Sequence, residues 1–145
     1  MKKLRIGVVG LGDISRVYLN NLKKYSDLVT IDACASRSLE KAQKKAEEFG
    51  IPHAYTCAED LIEQADVDLI LNLTTPDAHY RLNKLALTCG KHVYTEKPLG
   101  LHLCRGQGAG GLGTVQESAH RLCTGYLFGR TVANLPRYFG LRQNR

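Results

Sequence analysis

Short apolar runs alternate with helical spacings five times in the first hundred residues, and few architectures accept that alternation. Leu4–Val9 ends at Gly10 and reads as a buried parallel strand. From Ile14, apolar residues fall at Val17, Tyr18, Leu22 and Tyr25, which is a helical spacing. Val29–Ala35 reads as a second strand. Ser38 then caps a helix with Leu39, Ala42, Ala46 and Phe49 inward and Gly50 as its stop. Pro52–Tyr55 is a short third strand. Ala58–Ala65 is a short helix with Leu61 and Ile62 inward. Val67–Leu73 carries the strongest strand signal. Ala78–Cys89 is a helix with Leu82, Leu85 and Ala86 on one face, stopped by Gly90, and Lys91–Glu96 is a fifth strand. The pattern predicts an α/β fold: a doubly wound, Rossmann-like parallel sheet of order 3-2-1-4-5, with helices on both faces. Ligands of such sheets bind outside the carboxyl ends of the strands.

The chain joins two compositions. Residues 1–100 carry ten Lys and four Arg against thirteen acids; residues 101–145 carry six Arg, no Lys and Glu117 as the one acid. Eight of the fourteen glycines fall in those last forty-five residues. The expected organisation is therefore a dinucleotide-binding domain over 1–100 and an irregular, disordered Gly/Arg-rich tail over 101–145. Cys34, Cys57, Cys89, Cys104 and Cys123 are odd in number and widely spaced. They fit neither a disulfide framework nor a zinc site, and read as reduced thiols with no metal. No apolar run approaches the ~18 residues of a membrane span. The apolar start is cut short by Asp13 and lacks a small-residue cleavage site, so a cytoplasmic protein is expected.

Gly10-Leu-Gly12-Asp-Ile-Ser15 lies between the first strand and the first helix. Gly10 suits the tight turn, and Gly12 lets the backbone approach a pyrophosphate. Ser15 is small enough for close helix–strand packing at the third position. Asp13 and Ile14 open the helix behind the loop, whose free N–H groups and positive dipole end favour an anion. An acid at the end of the second strand would mark NAD. Asp32 is too early in the strand, and the position holds Ser36 and Arg37, which suit a 2′-phosphate. NADP is thus preferred over NAD. Thr74, Thr75 and Pro76 follow the fourth strand and should border the cofactor. His79, in the first turn of the next helix, reads as a packing or capping residue. Glu96-Lys97-Pro98 ends the fifth strand, where an ammonium could hydrogen-bond a substrate hydroxyl or the nicotinamide ribose and stabilise developing negative charge.

Together the glycine loop, the segment from Thr74 to His79 and Glu96-Lys97-Pro98 resemble the Gfo/Idh/MocA (glucose–fructose oxidoreductase / inositol dehydrogenase) family, over residues 3 to about 101. The resemblance implies an N-terminal Rossmann domain followed by a substrate domain. It also implies NAD(P)-dependent oxidation or reduction of sugars, cyclitols and related polyols. It places Lys97 at the reacting carbon and Gly10, Gly12, Ser36 and Arg37 on the cofactor.

The family's sixth strand and substrate domain are not legible after residue 100. Gly106–Gly113 has no helical period, and Arg130–Arg145 shows no capping or turn logic. One reading is a basic arm for nucleic acid, and another is a divergent helix and strand. The favoured reading is a change of frame between about residue 99 and residue 110. With suitable wobble bases, His120–Arg130 reads one nucleotide on as Ile-Gly-Cys-Ala-Pro-Asp-Thr-Phe-Leu-Gly-Gly. That string resembles the family's segment after its sixth strand. On this reading the sheet is truncated after the fifth strand, whose bare edge invites self-association. The chain is then an NAD(P)-binding fragment, inactive alone. The alternatives are a non-catalytic dinucleotide-binding or interaction module, or nucleic-acid binding through the tail.

Overall fold

The structure, a computed structural model, describes residues 3–96 and 122–124. Its elements in order are β1 (Leu4–Val9), α1 (Asp13–Lys23), β2 (Val29–Ala35), α2 (Leu39–Phe49), β3 (His53–Tyr55), α3 (Ala58–Gln64), β4 (Leu69–Asn72), α4 (Pro76–Thr88), β5 (His92–Thr95) and β6 (Leu122–Thr124). They form one sheet of order β3-β2-β1-β4-β5-β6, with every pairing parallel. The doubly wound α/β class and the order 3-2-1-4-5 are as the sequence predicts. The stop after the fifth strand is not: β6 lies alongside β5, with Val93, Tyr94 and Thr95 facing Leu122, Cys123 and Thr124. A three-residue parallel pairing is held by backbone groups and needs no side-chain alternation, so the sequence carried no signal for it. The premise of a bare β5 edge open to self-association fails at these residues. Apart from 122–124, the expected disorder of 101–145 lies outside the described residues.

Two apolar layers sandwich the sheet, as a parallel sheet requires. On one face Tyr18, Leu19 and Leu22 of α1 and Ala46 and Phe49 of α2 pack on Ile6, Val8, Leu69 and Leu71. On the other, Leu61 and Ile62 of α3 and Leu82, Ala86 and Leu87 of α4 pack on Val9, Ile70 and Val93. Alternate residues of each central strand serve opposite layers. The Ser38 cap forms, its hydroxyl oxygen accepting the Lys41 amide, and Gly50 closes α2 in the left-handed conformation. Three large apolar side chains among the described residues are exposed. Leu39 is exposed rather than inward, and so are Ile14 and Val17 of α1. The buried stripe of α1 is Ser15, Tyr18, Leu19 and Leu22, an equally good helical spacing that puts the small serine against the sheet.

Among the described residues Cys34, Cys57 and Cys89 are free thiols. Burial pushes the Cys34 thiol up to about 11, and Cys89 is exposed. Only the thiolate attacks an alkylating agent, and near neutral pH Cys34 would hold it in about one molecule per thousand or fewer. In the native chain, maleimide should therefore modify Cys89 quickly and Cys34 only after unfolding, as followed by peptide mass spectrometry. Equal rates at the two residues would mean that the packing around β2 is open.

Candidate functional site

The carboxyl ends of β1, β2, β4 and β5 converge, and the loops that leave them are tied to one another. The Gly10 amide donates to Ala35 O at 3.2 Å, the Leu73 amide to Val9 O at 2.8 Å and the Glu96 amide to Asn72 O at 3.1 Å. Gly10 has φ +88°, and a Cβ there would stand 2.6 Å from Leu73 C and Thr74 N. Glycine is required twice over, by the backbone angle and by the approach of the β4 loop. Gly12 differs. It is the N-cap of α1 at φ −75°, ψ −170°, and a Cβ there would meet nothing within 4 Å. The space beside it is open, and the first-turn amides of Asp13 and Ile14 have no intrahelical acceptor. Ser15, fully buried, donates its hydroxyl to Gly12 O at 2.6 Å and so holds the loop onto its helix.

At the end of β2 the Ser36 amide donates to Tyr55 O, and Ser36 Oγ accepts the Ser38 amide at 3.4 Å. The Ser36 hydroxyl proton thus remains available to an outside acceptor. Arg37 beside it is exposed. Asp32 is the extra residue of a bulge in β2, where the register jumps from Ile6↔Ile31 to Gly7↔Ala33. Its carboxylate accepts the Thr30 hydroxyl at 2.5 Å, so it stays in the strand, as its early position predicts.

After β4, Thr75 caps α4 and Pro76 occupies its first turn. The Thr75 hydroxyl, followed by the helix's own backbone, holds the Asp77 carboxyl below its ordinary value, and the charge of Arg37 acts in the same sense. His79 is buried and its Nε2 meets Thr74 O at 2.8 Å, which is the capping role expected of it. Glu96 is buried as well, and its Oε1 accepts the Tyr18 hydroxyl. This bond ties the helix behind the glycine loop to the end of β5. Lys97, the expected catalytic residue, lies outside the described residues.

Gly10, Gly12, Asp13, Ile14, Ser36, Arg37, Thr74, Thr75, Pro76 and Glu96 thus all lie at the carboxyl-end edge of the sheet. Sequence reasoning missed Tyr18, Asn72 and Asn83. Asn72 and Asn83 had left a signal, since Asn72 ends the apolar β4 run and Asn83 sits, with His79, at helical spacing among the apolar Leu82, Ala86 and Leu87. Among the described residues no group of three His, Cys, Asp or Glu could hold a metal ion. No helix among them is long and apolar enough to cross a membrane.

A family model described as oxidoreductase family, NAD-binding Rossmann fold, matches residues 4–116. Myo-inositol 2-dehydrogenase of Thermotoga maritima is 34% identical over 100 residues, 69% of this chain and 30% of that protein. The dTDP-3,4-didehydro-2,6-dideoxy-alpha-D-glucose 3-reductase of Streptomyces violaceoruber is 38% identical over 99 residues, 68% of this chain and 29% of that protein. Among solved structures, a probable dehydrogenase from Thermotoga maritima superposes with a TM-score of 0.75 at 30% identity, covering 84% of this chain and 36% of the other. Scyllo-inositol dehydrogenase from Lactobacillus casei, solved with NAD(H) and scyllo-inositol, shares the fold with a TM-score of 0.79 at 24% identity, covering 86% of this chain and 36% of the other. The chain thus spans about a third or less of the length of the proteins it resembles.

Proposed function

Because the chain belongs to the Gfo/Idh/MocA oxidoreductase family, we propose that it binds a nicotinamide dinucleotide at the carboxyl ends of β1 and β4, as the cofactor half of a dehydrogenase acting on a sugar, cyclitol or related polyol. The observation that carries this reading is the open space at Gly12 in front of the α1 N-terminus. The α1 amides would receive the pyrophosphate there with no side chain in the way. When bound, the nicotinamide ring supplies the hydride acceptor or donor. Gly10 and Thr74 shape the β1–β4 side of the crevice. By resemblance to the family, Lys97 orients the substrate hydroxyl and helps its proton leave.

The reading extends to the cofactor's second phosphate. Ser36 offers a free hydroxyl proton, Arg37 is an exposed guanidinium, and Asp32 is held within the strand. These features favour a 2′-phosphate over a bare ribose hydroxyl, and hence NADP over NAD. Calorimetric titration of the 145-residue chain with NADPH and NADH tests both parts. NADPH should bind more tightly, and Arg37→Ala should weaken it by about tenfold while changing NADH little. Equal affinities would refute the NADP preference, and failure of both nucleotides to bind would refute the dinucleotide reading. Hydride transfer also needs an enclosed substrate and a second acid–base group. We infer that the chain of 145 residues, alone, reduces no NADP when offered inositols and sugars. Turnover abolished by Lys97→Ala would overturn that inference.

A further inference from the structure

The layer on the α3/α4 face of the sheet is built from apolar side chains, and two side-chain amides are buried beside it. Asn72, the last residue of β4, and Asn83 on α4 are both fully buried, next to a layer built from Leu82, Ala86 and Val93. Burying two amides is unfavourable unless their hydrogen bonds are well made, whereas two leucines of similar volume would pack such a layer without that demand. The pair is not optimised for stability either, because Asn83 Nδ2 has no hydrogen-bond partner among the described residues.

The bonds that are made all lead to Thr74. Asn72 Oδ1 accepts the Thr74 amide at 3.2 Å and the Thr74 hydroxyl at 2.6 Å. Asn72 Nδ2 donates to Asn83 Oδ1 at 2.7 Å. A backbone amide can only donate, so it determines which end of the Asn72 side chain is oxygen, and Asn72 in turn orients Asn83. His79 stands four residues before Asn83, one turn away on α4. Its Nε2 reaches Thr74 O, and a carbonyl only accepts, so that nitrogen carries the proton. The amide, hydroxyl and carbonyl of Thr74 are thus each engaged by a side chain. The amide nitrogen they hold is, with Leu73 C and O, one of the three backbone atoms that leave no room for a Cβ on Gly10.

We propose that Asn72 and Asn83 are a positioning pair that fixes Thr74 against Gly10 before any ligand arrives, and so sets the β4 wall of the crevice. This rests on the dinucleotide reading above. A wall ordered in advance spares the ligand the cost of ordering it, so the pair acts on affinity more than on folding. The test is the double variant Asn72→Leu/Asn83→Leu in the full chain, with the Tm and the Kd for NADPH and NADH both measured. The expected result is an unchanged or higher Tm with Kd raised about tenfold. A merely structural pair would show the reverse: a lower Tm and Kd within twofold of the parent, which overturns the proposal. If the parent chain binds neither nucleotide, the dinucleotide reading falls and takes this proposal with it. If the parent binds and the double variant binds equally well, the proposal alone falls. Should the double variant fail to fold, amide exchange in the ligand-free parent decides. Protection of the Thr74 amide like that of the β4 amides supports the pair, and exchange at the rate of an open loop overturns it.

Discussion

Gly10→Ala is expected to destabilise the chain by about 3 kcal/mol or more. Two independent terms add. An L-residue at φ +88° meets the left-handed penalty of roughly 1–2 kcal/mol. The new methyl also falls 2.6 Å from Leu73 C and Thr74 N, and these are backbone atoms that cannot rotate away. Thr74 is held in place by Asn72 and His79, so relief requires moving the end of β4 away from β1. Those strands are central, paired from Ile6↔Leu69 to Val9↔Asn72. Urea denaturation should show a much lower midpoint with an unchanged slope. A loss below about 1 kcal/mol would mean that the β1 and β4 loops separate freely and that their contact does not organise the site.

Gly12→Ala should do the opposite: leave stability within about 1 kcal/mol and weaken dinucleotide binding by at least tenfold. At φ −75°, ψ −170° alanine is unstrained, and its Cβ meets no protein atom within 4 Å. Alanine is a poorer N-cap than glycine, yet it restricts the unfolded chain, so the two stability terms nearly cancel. The methyl occupies the space in which a pyrophosphate would approach the α1 amides, so its cost is felt by the ligand alone. Calorimetry with NADPH, beside a urea melt, separates the two effects. Affinity unchanged on Gly12→Ala would place the pyrophosphate elsewhere, even if the fold is as described.

The contrast between the two glycines marks the boundary of what sequence reasoning reaches. Both stand in one short motif, and pattern alone places both between strand and helix. Nothing in the motif says that Gly10 is pressed against a loop more than sixty residues later while Gly12 faces open space. Periodicity likewise locates α1 but admits two stripes. Tertiary packing selects the one running through Ser15, Tyr18, Leu19 and Leu22, which leaves Ile14 and Val17 outside. In the same way Leu39 looks inward by spacing and is exposed in the fold. Propensity and period are local quantities, and a contact between distant segments is not.

Local chemistry along the chain determined the order of elements, the Ser38 cap, the α2 stop at Gly50, the α/β class and the edge of the sheet on which the site residues gather. All of these follow from hydrophobic period, capping and the handedness of parallel crossovers, which neighbouring residues encode. Only the tertiary structure decided that β6 covers β5, that Tyr18 reaches Glu96, and that Asn72, Asn83 and His79 converge on Thr74. Each joins residues that chain connectivity leaves free to meet or not. A buried hydrogen bond forms where packing has already excluded water and no other partner remains, so its existence depends on the whole assembled core rather than on either residue's place in the sequence.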